Sequence, residues 1–378
     1  MDKIMLRITK NPVQNRFSKL GIRFAAIALA LCISAVIVAI FGYNPGVVFL
    51  KILEKALGTP ARVGKVIVAA IPLIIVAVGV SIAFKMKFWN IGAEGQMFAG
   101  AICASFFALN YPDMSKPLLL LLMVAAGMLG GGLYALIAGF FRVQFNTNET
   151  LFTLMLNYIA LTFVSYLQAG PWRDPNARGM FEIARFSSNA RMPQLFGVHI
   201  GWIFALLLLT FLYFFFKYSK KGYETAVIGQ SELTARYVGM NVKKIMLFAV
   251  FLSGAFCGLA GVIEASAVSF TLNPALTGGR GFTAIIIAWL SNLNAVSIGI
   301  TSFFFSVLTE GSSALESSLQ VPPTLSDMLQ GIILFCVLGS EFFLQYKIRF
   351  IKKSKPAEKV QIPPAPAEEA PEEDLPEA

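Results

Sequence analysis

Long apolar stretches dominate the chain. They recur near residues 22–43, 65–84, 88–108, 117–141, 150–169, 200–216, 246–270 and 326–346. Each is long enough to cross about 30 Å of hydrocarbon as a helix. A further stretch, 281–311, is interrupted at Ser291–Asn294 and reads as two short segments, the kind of broken span in which transporters place gates and sites. The pattern predicts an all-α, polytopic helical membrane protein with about ten transmembrane segments, some short or broken. Between Asn44 and Gly64, Pro and Gly punctuation brackets an amphipathic piece, Val47–Leu57. It is expected to lie along the outer interface.

Composition strengthens this picture. The 378 residues are 56% hydrophobic and only 14% charged, whereas a soluble domain carries about 25% charge. An even number of spans puts both termini on one side. With both in the cytoplasm, 21 of the 31 Lys and Arg residues fall inside, the bias of the positive-inside rule. The net charge of +10 is therefore a topological signal. It is divided among short loops with no basic-aromatic module, so a nucleic-acid partner is not expected. Three regions follow: a basic cytoplasmic N-terminus over 1–20, a transmembrane domain over 21–346, and a cytoplasmic Pro/Glu-rich tail over 347–378. From Lys355 the tail has too little apolar content to fold alone. The N-terminal apolar run begins only after about 20 basic and polar residues, so it reads as a retained span and not as a cleaved signal. The outer loop 170–199 is the largest outside element, either a cap over the outer mouth or a surface that meets a partner.

Within this apolar background, Phe88–Ala101 places Asn90, Glu94 and Gln96 among three glycines. An intramembrane carboxylate faces protein or a water-filled path. Two readings stand for Glu94: a carboxylate hydrogen-bonded between helices, or a group lining a translocation pathway, and the second is preferred. Asn157 and Glu264 join the pathway set, because amides and carboxylates suit hydroxyls and ring nitrogens. Gly254, Gly258, Gly261 and Ala265 recur at spacings of four, three and four, which predicts a small-residue packing stripe. Catalytic chemistry finds little support. His199 is the only histidine, so His-based triads and His-rich metal sites lack partners. Gly58–Lys65 has five residues between its glycines and no Ser or Thr after the lysine, which fails the phosphate-loop pattern. No enzyme activity, metal or cofactor is expected.

The longest inside connection, residues 217–244, carries Ala226, Gln230, Leu233, Tyr237 and Met240 at alternating spacings of four and three. They share a face of one helix, or of two short ones broken near Gly229. The face either rests on lipid or docks into a groove on a soluble partner. Small residues Ala226, Gly229 and Ser231 favour close protein contact.

Four ordered blocks over roughly residues 60–345 carry a family likeness. Asn90–Gln96, Asn148–Tyr158, Gly222–Gly239 with Ala235-Arg236-Tyr237, and Ser253–Glu264 followed by Gly279–Phe282 resemble the permease subunits of ATP-binding-cassette importers. The branch is that of branched-chain amino acids, ribose-like sugars and nucleosides, and the first block is most like the nucleoside permeases. The family's coupling loop usually has arginine and asparagine where this chain has Ala226 and Ser231. The resemblance implies a multi-pass protein of the bacterial cytoplasmic (inner) membrane. Its partners would be an ABC ATPase, a second homologous or identical permease, a substrate-binding lipoprotein or periplasmic binding protein, and membrane lipid. It implies that Glu224, Ala226, Gly229, Ser231, Ala235, Arg236, Tyr237 and Gly239 form the ATPase-coupling element. The expected cargo is a nucleoside or a related heterocycle bearing ribose or ribityl. Alternatives are riboflavin, a simple sugar or a branched-chain amino acid, or, in a different class, an ion-coupled secondary transporter.

Overall fold

The computed structural model describes residues 4–10, 16–175, 177, 181–319 and 346–352, with isolated positions between 325 and 340. The described chain is mostly helical. Helix α1 (Arg16–Ile40) meets α2 (Pro45–Leu57) at a break that bends the pair by 113°. Asn44 caps α2, accepting from the Gly46 and Val47 N–H groups. Helix α2 buries Val48, Ile52 and Ala56 and exposes Leu50 and Leu53, which matches the amphipathic helix expected over 47–57. Next come α3 (Pro60–Lys85), α4 (Ala93–Asn110), α5 (Lys116–Phe145) and α6 (Glu149–Ala169). Helix α7 (Gly201–Tyr218) leads to two short helices, α8 (Lys220–Gln230) and α9 (Glu232–Tyr237). Helix α10 (Val242–Ile263) continues as a π-helical turn, Glu264–Ser269, and is followed by α11 (Arg280–Leu290) and α12 (Ala295–Leu319).

Six helical segments among the described residues are long and apolar enough to cross a membrane: 60–85, 116–145, 149–169, 201–218, 242–269 and 295–313. The bent α1–α2 pair makes a seventh if counted as one span. Helix α4 is long enough but carries Glu94 and Gln96 in its first turns. Helix α11, at 11 residues, rises only about 16 Å, half the hydrocarbon thickness. The expected break at Ser291–Asn294 is present as a turn with Asn292 and Leu293 at positive φ. Asn294 closes it by capping α12 through the Val296 and Ser297 N–H groups. Most of the apolar stretch 326–346 lies outside the described residues.

Two short strand pairs qualify the all-α expectation. Strand β1 (Ile4–Lys10) pairs antiparallel with β4 (Tyr346–Lys352), so the basic lead-in is joined to residues that the sequence pattern assigns to the start of the tail. Strands β2 (Gln194–Leu195) and β3 (Val198–His199) form a hairpin in the 170–199 loop, turning at Phe196 and Gly197 with positive φ.

Helices α3 and α10 are buried along most of their length, while α5, α6 and α7 keep large apolar side chains exposed, as lipid-facing helices do. The centre is a glycine seam. A Cβ on Gly258 would lie 2.3 Å from the Gly127 carbonyl oxygen of α5, and one on Gly100 of α4 would lie 2.4 Å from the Gly258 backbone. Gly254 meets Ala135 and Gly131, and Gly261 meets the Met97 carbonyl. The stripe at 254, 258 and 261 is thus the contact face of α10 with α4 and α5. Without a hydrophobic drive between helices in lipid, this close backbone approach supplies the van der Waals attraction.

Candidate functional site

The turn between α3 and α4 is held by side-chain amides. Asn90 Nδ2 donates to Gln96 Oε1 at 3.0 Å and to Ser253 Oγ at 3.0 Å. Its Oδ1 accepts from Gln96 Nε2 at 2.7 Å and from the Gly92 N–H at 3.1 Å. An Asn amide has two donors and two acceptor lone pairs, so every position on Asn90 is filled. Asn157 reaches across from α6, accepting from the Gly95 N–H and donating to the Ile91 carbonyl, both at 2.8 Å. Thr153 accepts the Ile91 N–H at 3.2 Å. Each of these backbone groups would cost several kcal/mol if left unpaired in a lipid-like interior. The structure therefore brings Asn90, Gln96 and Asn157 together as a clamp on the 88–96 turn. Ser253 and Thr153 complete it; neither stands out in the sequence, because hydroxyls on apolar helices usually bond their own backbone.

Glu94, one turn further on, is buried and aimed at α11. Its Oε1 accepts the Gly279 N–H at 3.0 Å and its Oε2 the Gly281 N–H at 2.7 Å. A carboxylate at a helix N-terminus satisfies orphan N–H groups and meets the positive end of the macrodipole. Gly281 allows the approach, since a Cβ there would sit 2.4 Å from Glu94 Oε2. Glu264, at the start of the π-turn, accepts from Arg280 Nη1. Two carboxylates from α4 and the π-turn thus converge on the first residues of α11. Their meeting is invisible in sequence, because 185 and 16 residues separate the partners.

On the face bearing α8 and α9, the break in the 217–244 connection falls at Ser231, whose hydroxyl accepts the Thr234 N–H at 3.2 Å and so caps α9. Glu224 is buried and paired with Lys221 at 2.9 Å. Arg236 bridges to Glu232 at 2.6 Å, and Gly239 turns the chain with φ +77°. Ala226 is half-buried, whereas Gly229 and Ala235 are buried. A Cβ on Gly229 would lie 2.0 Å from the Lys85 carbonyl oxygen, so this glycine seats α8 on the end of α3 instead of forming a tip. The outward positions are Leu233, 81% exposed, and Tyr237, 92% exposed. Tyr223 and Val238 are exposed beside them. Arg142 at the end of α5 pairs with Glu149 at 3.3 Å.

At the opposite end, the Met192 N–H donates to the Ser266 carbonyl and the Phe186 N–H to the Phe270 carbonyl. The 170–199 loop thereby covers the end of α10. His199 is buried there; its Nδ1 accepts from the Gly201 N–H at 3.2 Å, and its Nε2 has no partner among the described residues. Loss of solvation lowers its pKa to about 4.

Comparison with known proteins agrees with this architecture. A family described as branched-chain amino acid transport system / permease component matches residues 62–338. The glucose ABC transporter permease protein TsgB13 of Haloferax volcanii is 31% identical over 87% of this chain and 89% of its own. The guanosine ABC transporter permease protein NupP of Bacillus subtilis is 29% identical over 89% of this chain and 96% of its own. The nucleoside ABC transporter permease protein NupB of Lactococcus lactis is 26% identical, over 92% and 98%. The chain belongs to this permease family and is a membrane-spanning ABC importer subunit, not an enzyme.

Proposed function

We propose that the chain moves a nucleoside, or a related heterocycle bearing ribose or ribityl, inward across the bacterial cytoplasmic membrane. A separate ATPase docks on α8 and α9, a second permease completes the channel, and a binding protein delivers cargo to the opposite face. The observation that carries the coupling role is the pair Leu233 and Tyr237, large and almost fully exposed on a short capped helix. Large apolar side chains on a polar face are the anchors of helix-in-groove docking. Glu224, Ala226, Gly229, Ser231, Ala235, Arg236 and Gly239 then act by shaping and seating that helix pair.

For the cargo, the guanosine and nucleoside permeases among the relatives favour a nucleoside. A simple-sugar reading stands beside it, favoured by the 31% identity to the glucose permease. Asn90, Gln96 and Asn157 form the wall of the pathway by fixing the 88–96 turn. Glu94 and Glu264 hold the α11 half-helix against the route. The pairing of β1 with β4 supports both termini on one side, and the bias of basic residues supports the cytoplasmic side. Ten segments follow if α4, the short α11 and the 326–346 stretch are counted as membrane-embedded.

The test is uptake by proteoliposomes. The permeases with ATPase and loaded binding protein should accumulate tritiated guanosine only with ATP inside. This chain alone should accumulate none under a proton or sodium gradient. Gradient-driven uptake by the chain alone overturns the assignment in favour of a secondary carrier.

A further inference from the structure

Beside the capped end of α11 lies a cavity of about 220 Å³ that none of the pathway residues named above lines. Its polar lining is Arg280, Thr283, Ser306, Thr309, Ser312 and Ser313, set against apolar positions such as Leu73 of α3. We propose that this cavity is a recognition site for the polyhydroxylated ring of the transported molecule, read as a neutral sugar. The inference deepens the transport reading above and rests on it.

The argument begins with which hydrogen-bonding capacity is left over. Thr283 Oγ1 donates to the Gly279 carbonyl at 3.3 Å, Ser306 Oγ to the Ser302 carbonyl at 2.9 Å, and Thr309 Oγ1 to the Phe305 carbonyl at 3.0 Å. Each hydroxyl spends its single proton on its own helix; Ser306 is fully buried, whereas Thr283 and Thr309 are half-buried and keep oxygen lone pairs for the cavity. The lining is thereby rich in acceptors, the complement of a ligand rich in O–H donors. Arg280 supplies the opposite polarity. Two N–H groups go to Glu264 and the Leu276 carbonyl, and the guanidinium has five, which leaves donors for ring or hydroxyl oxygens.

Charge decides against the other substrate classes. A helix N-terminus attracts anions, but the start of α11 is already taken by both oxygens of Glu94. The Arg280 charge is already countered by Glu264. A phosphate or carboxylate entering here would find the cationic features of the site neutralised. A neutral polyol would find acceptors and spare donors. Size points the same way. Liquid water occupies about 30 Å³ per molecule, so the cavity holds roughly seven. It is also smaller than the 300–1,000 Å³ usual for drug-sized ligands. It fits one sugar ring rather than a ring plus a purine. A shared sugar-ring site accounts for guanosine and glucose permeases both being relatives of one chain, since a polyhydroxylated ring is what those molecules share.

The experiment uses the complete transporter in proteoliposomes and compares guanosine with 2′,3′-dideoxyguanosine. The double variant Thr283→Val, Thr309→Val removes two acceptors. Guanosine uptake should fall at least fivefold while dideoxyguanosine uptake is unchanged, so their ratio falls by the same factor. Binding-protein selectivity cancels in that comparison with wild type. A ratio equal to wild type, or both uptakes falling together, overturns the proposal. Ser105→Ala serves as control, because that hydroxyl donates to the Ala101 carbonyl elsewhere on α4. A second arm places Thr309→Cys in the same complex and follows its reaction with a membrane-impermeant methanethiosulfonate, with the wild-type chain as blank. Reaction above the blank, slowed by guanosine or by glucose, supports the site. A thiol that never reacts, or reacts equally with either sugar present, refutes it. Wild-type complexes that take up neither guanosine nor glucose refute the transport reading instead. The labelling arm still decides the cavity in that case.

Discussion

Gly258→Ala is the sharpest test of what holds the membrane domain together. The added Cβ would sit 2.3 Å from the Gly127 carbonyl oxygen and 3.0 Å from the Gly131 Cα. Both obstacles are backbone, so no side chain can swing away. A carbon–oxygen contact relaxes at about 3.3 Å or more, which requires α5 and α10 to separate by roughly 1 Å. A gap of that size forfeits a quarter to a half of each well of about 0.1–0.2 kcal/mol. Summed over the facing atoms the loss is roughly 2 kcal/mol, the middle of the range of about 1–3 kcal/mol for overpacked cores. In lipid no hydrophobic gain offsets it, since the separated faces meet chains as apolar as themselves. The expected outcome is about a thirty-fold shift toward the unfolded form, read by equilibrium unfolding in mixed micelles. Gly64→Ala is the matched control. It lies inside α3 with nothing within 4 Å of its Cβ position, and should be neutral or stabilising by about 1 kcal/mol. Equal stabilities for Gly258→Ala and wild type would refute the view that backbone approach at this seam holds the helices.

Three further outcomes follow from the site. Glu94→Gln keeps the shape but leaves one of the Gly279 and Gly281 N–H groups facing an amide N–H. A loss of about 1–3 kcal/mol is expected, seen as a lower melting temperature of the purified complex, and an unchanged melt would mean that the cap contributes nothing. Leu233→Glu and Tyr237→Ala alter side chains that touch little of their own chain; the permease should purify normally while ATPase co-purification and ATP-driven uptake fall together, and normal transport by both would exclude α9 as the coupling element. The pKa of His199 is lowered to about 4 against 6.5, so the neutral form is favoured by folding. Stability from this residue is full above pH 6.5 and is lost as pH falls toward 4, by roughly 3 kcal/mol in total. Subtracting the melts of His199→Gln from those of wild type across pH 4–7 should isolate that slope, and a flat difference would contradict it.

The sequence by itself determined that this is a polytopic helical protein, because apolar runs long enough to span a membrane are a property of composition alone. Local chemistry was equally legible. The α2 helix after Asn44, the break at Ser291–Asn294 and the α8–α9 pair follow from caps, turn residues and period. The stripe at Gly254, Gly258 and Gly261 was also visible, because spacings of four and three put residues on one helical face. What occupies the other side of that face was decided only by tertiary structure. Gly127, Gly131 and Gly100 are recognisable as its partners once the helices cross. The same limit governed the polar residues. Composition marks Asn90, Glu94 and Gln96 as unusual in an apolar chain, but whether such groups face a ligand or each other depends on where their hydrogen-bond partners lie. Ser253 is 163 residues from Asn90, and Gly281 is 187 from Glu94. Gly229 likewise reads as a contact tip by its size, and only the Lys85 carbonyl beside it shows that the smallness serves packing within the chain. A residue type states what it can bond; the fold, by bringing distant backbone within 3 Å, settles what it does bond.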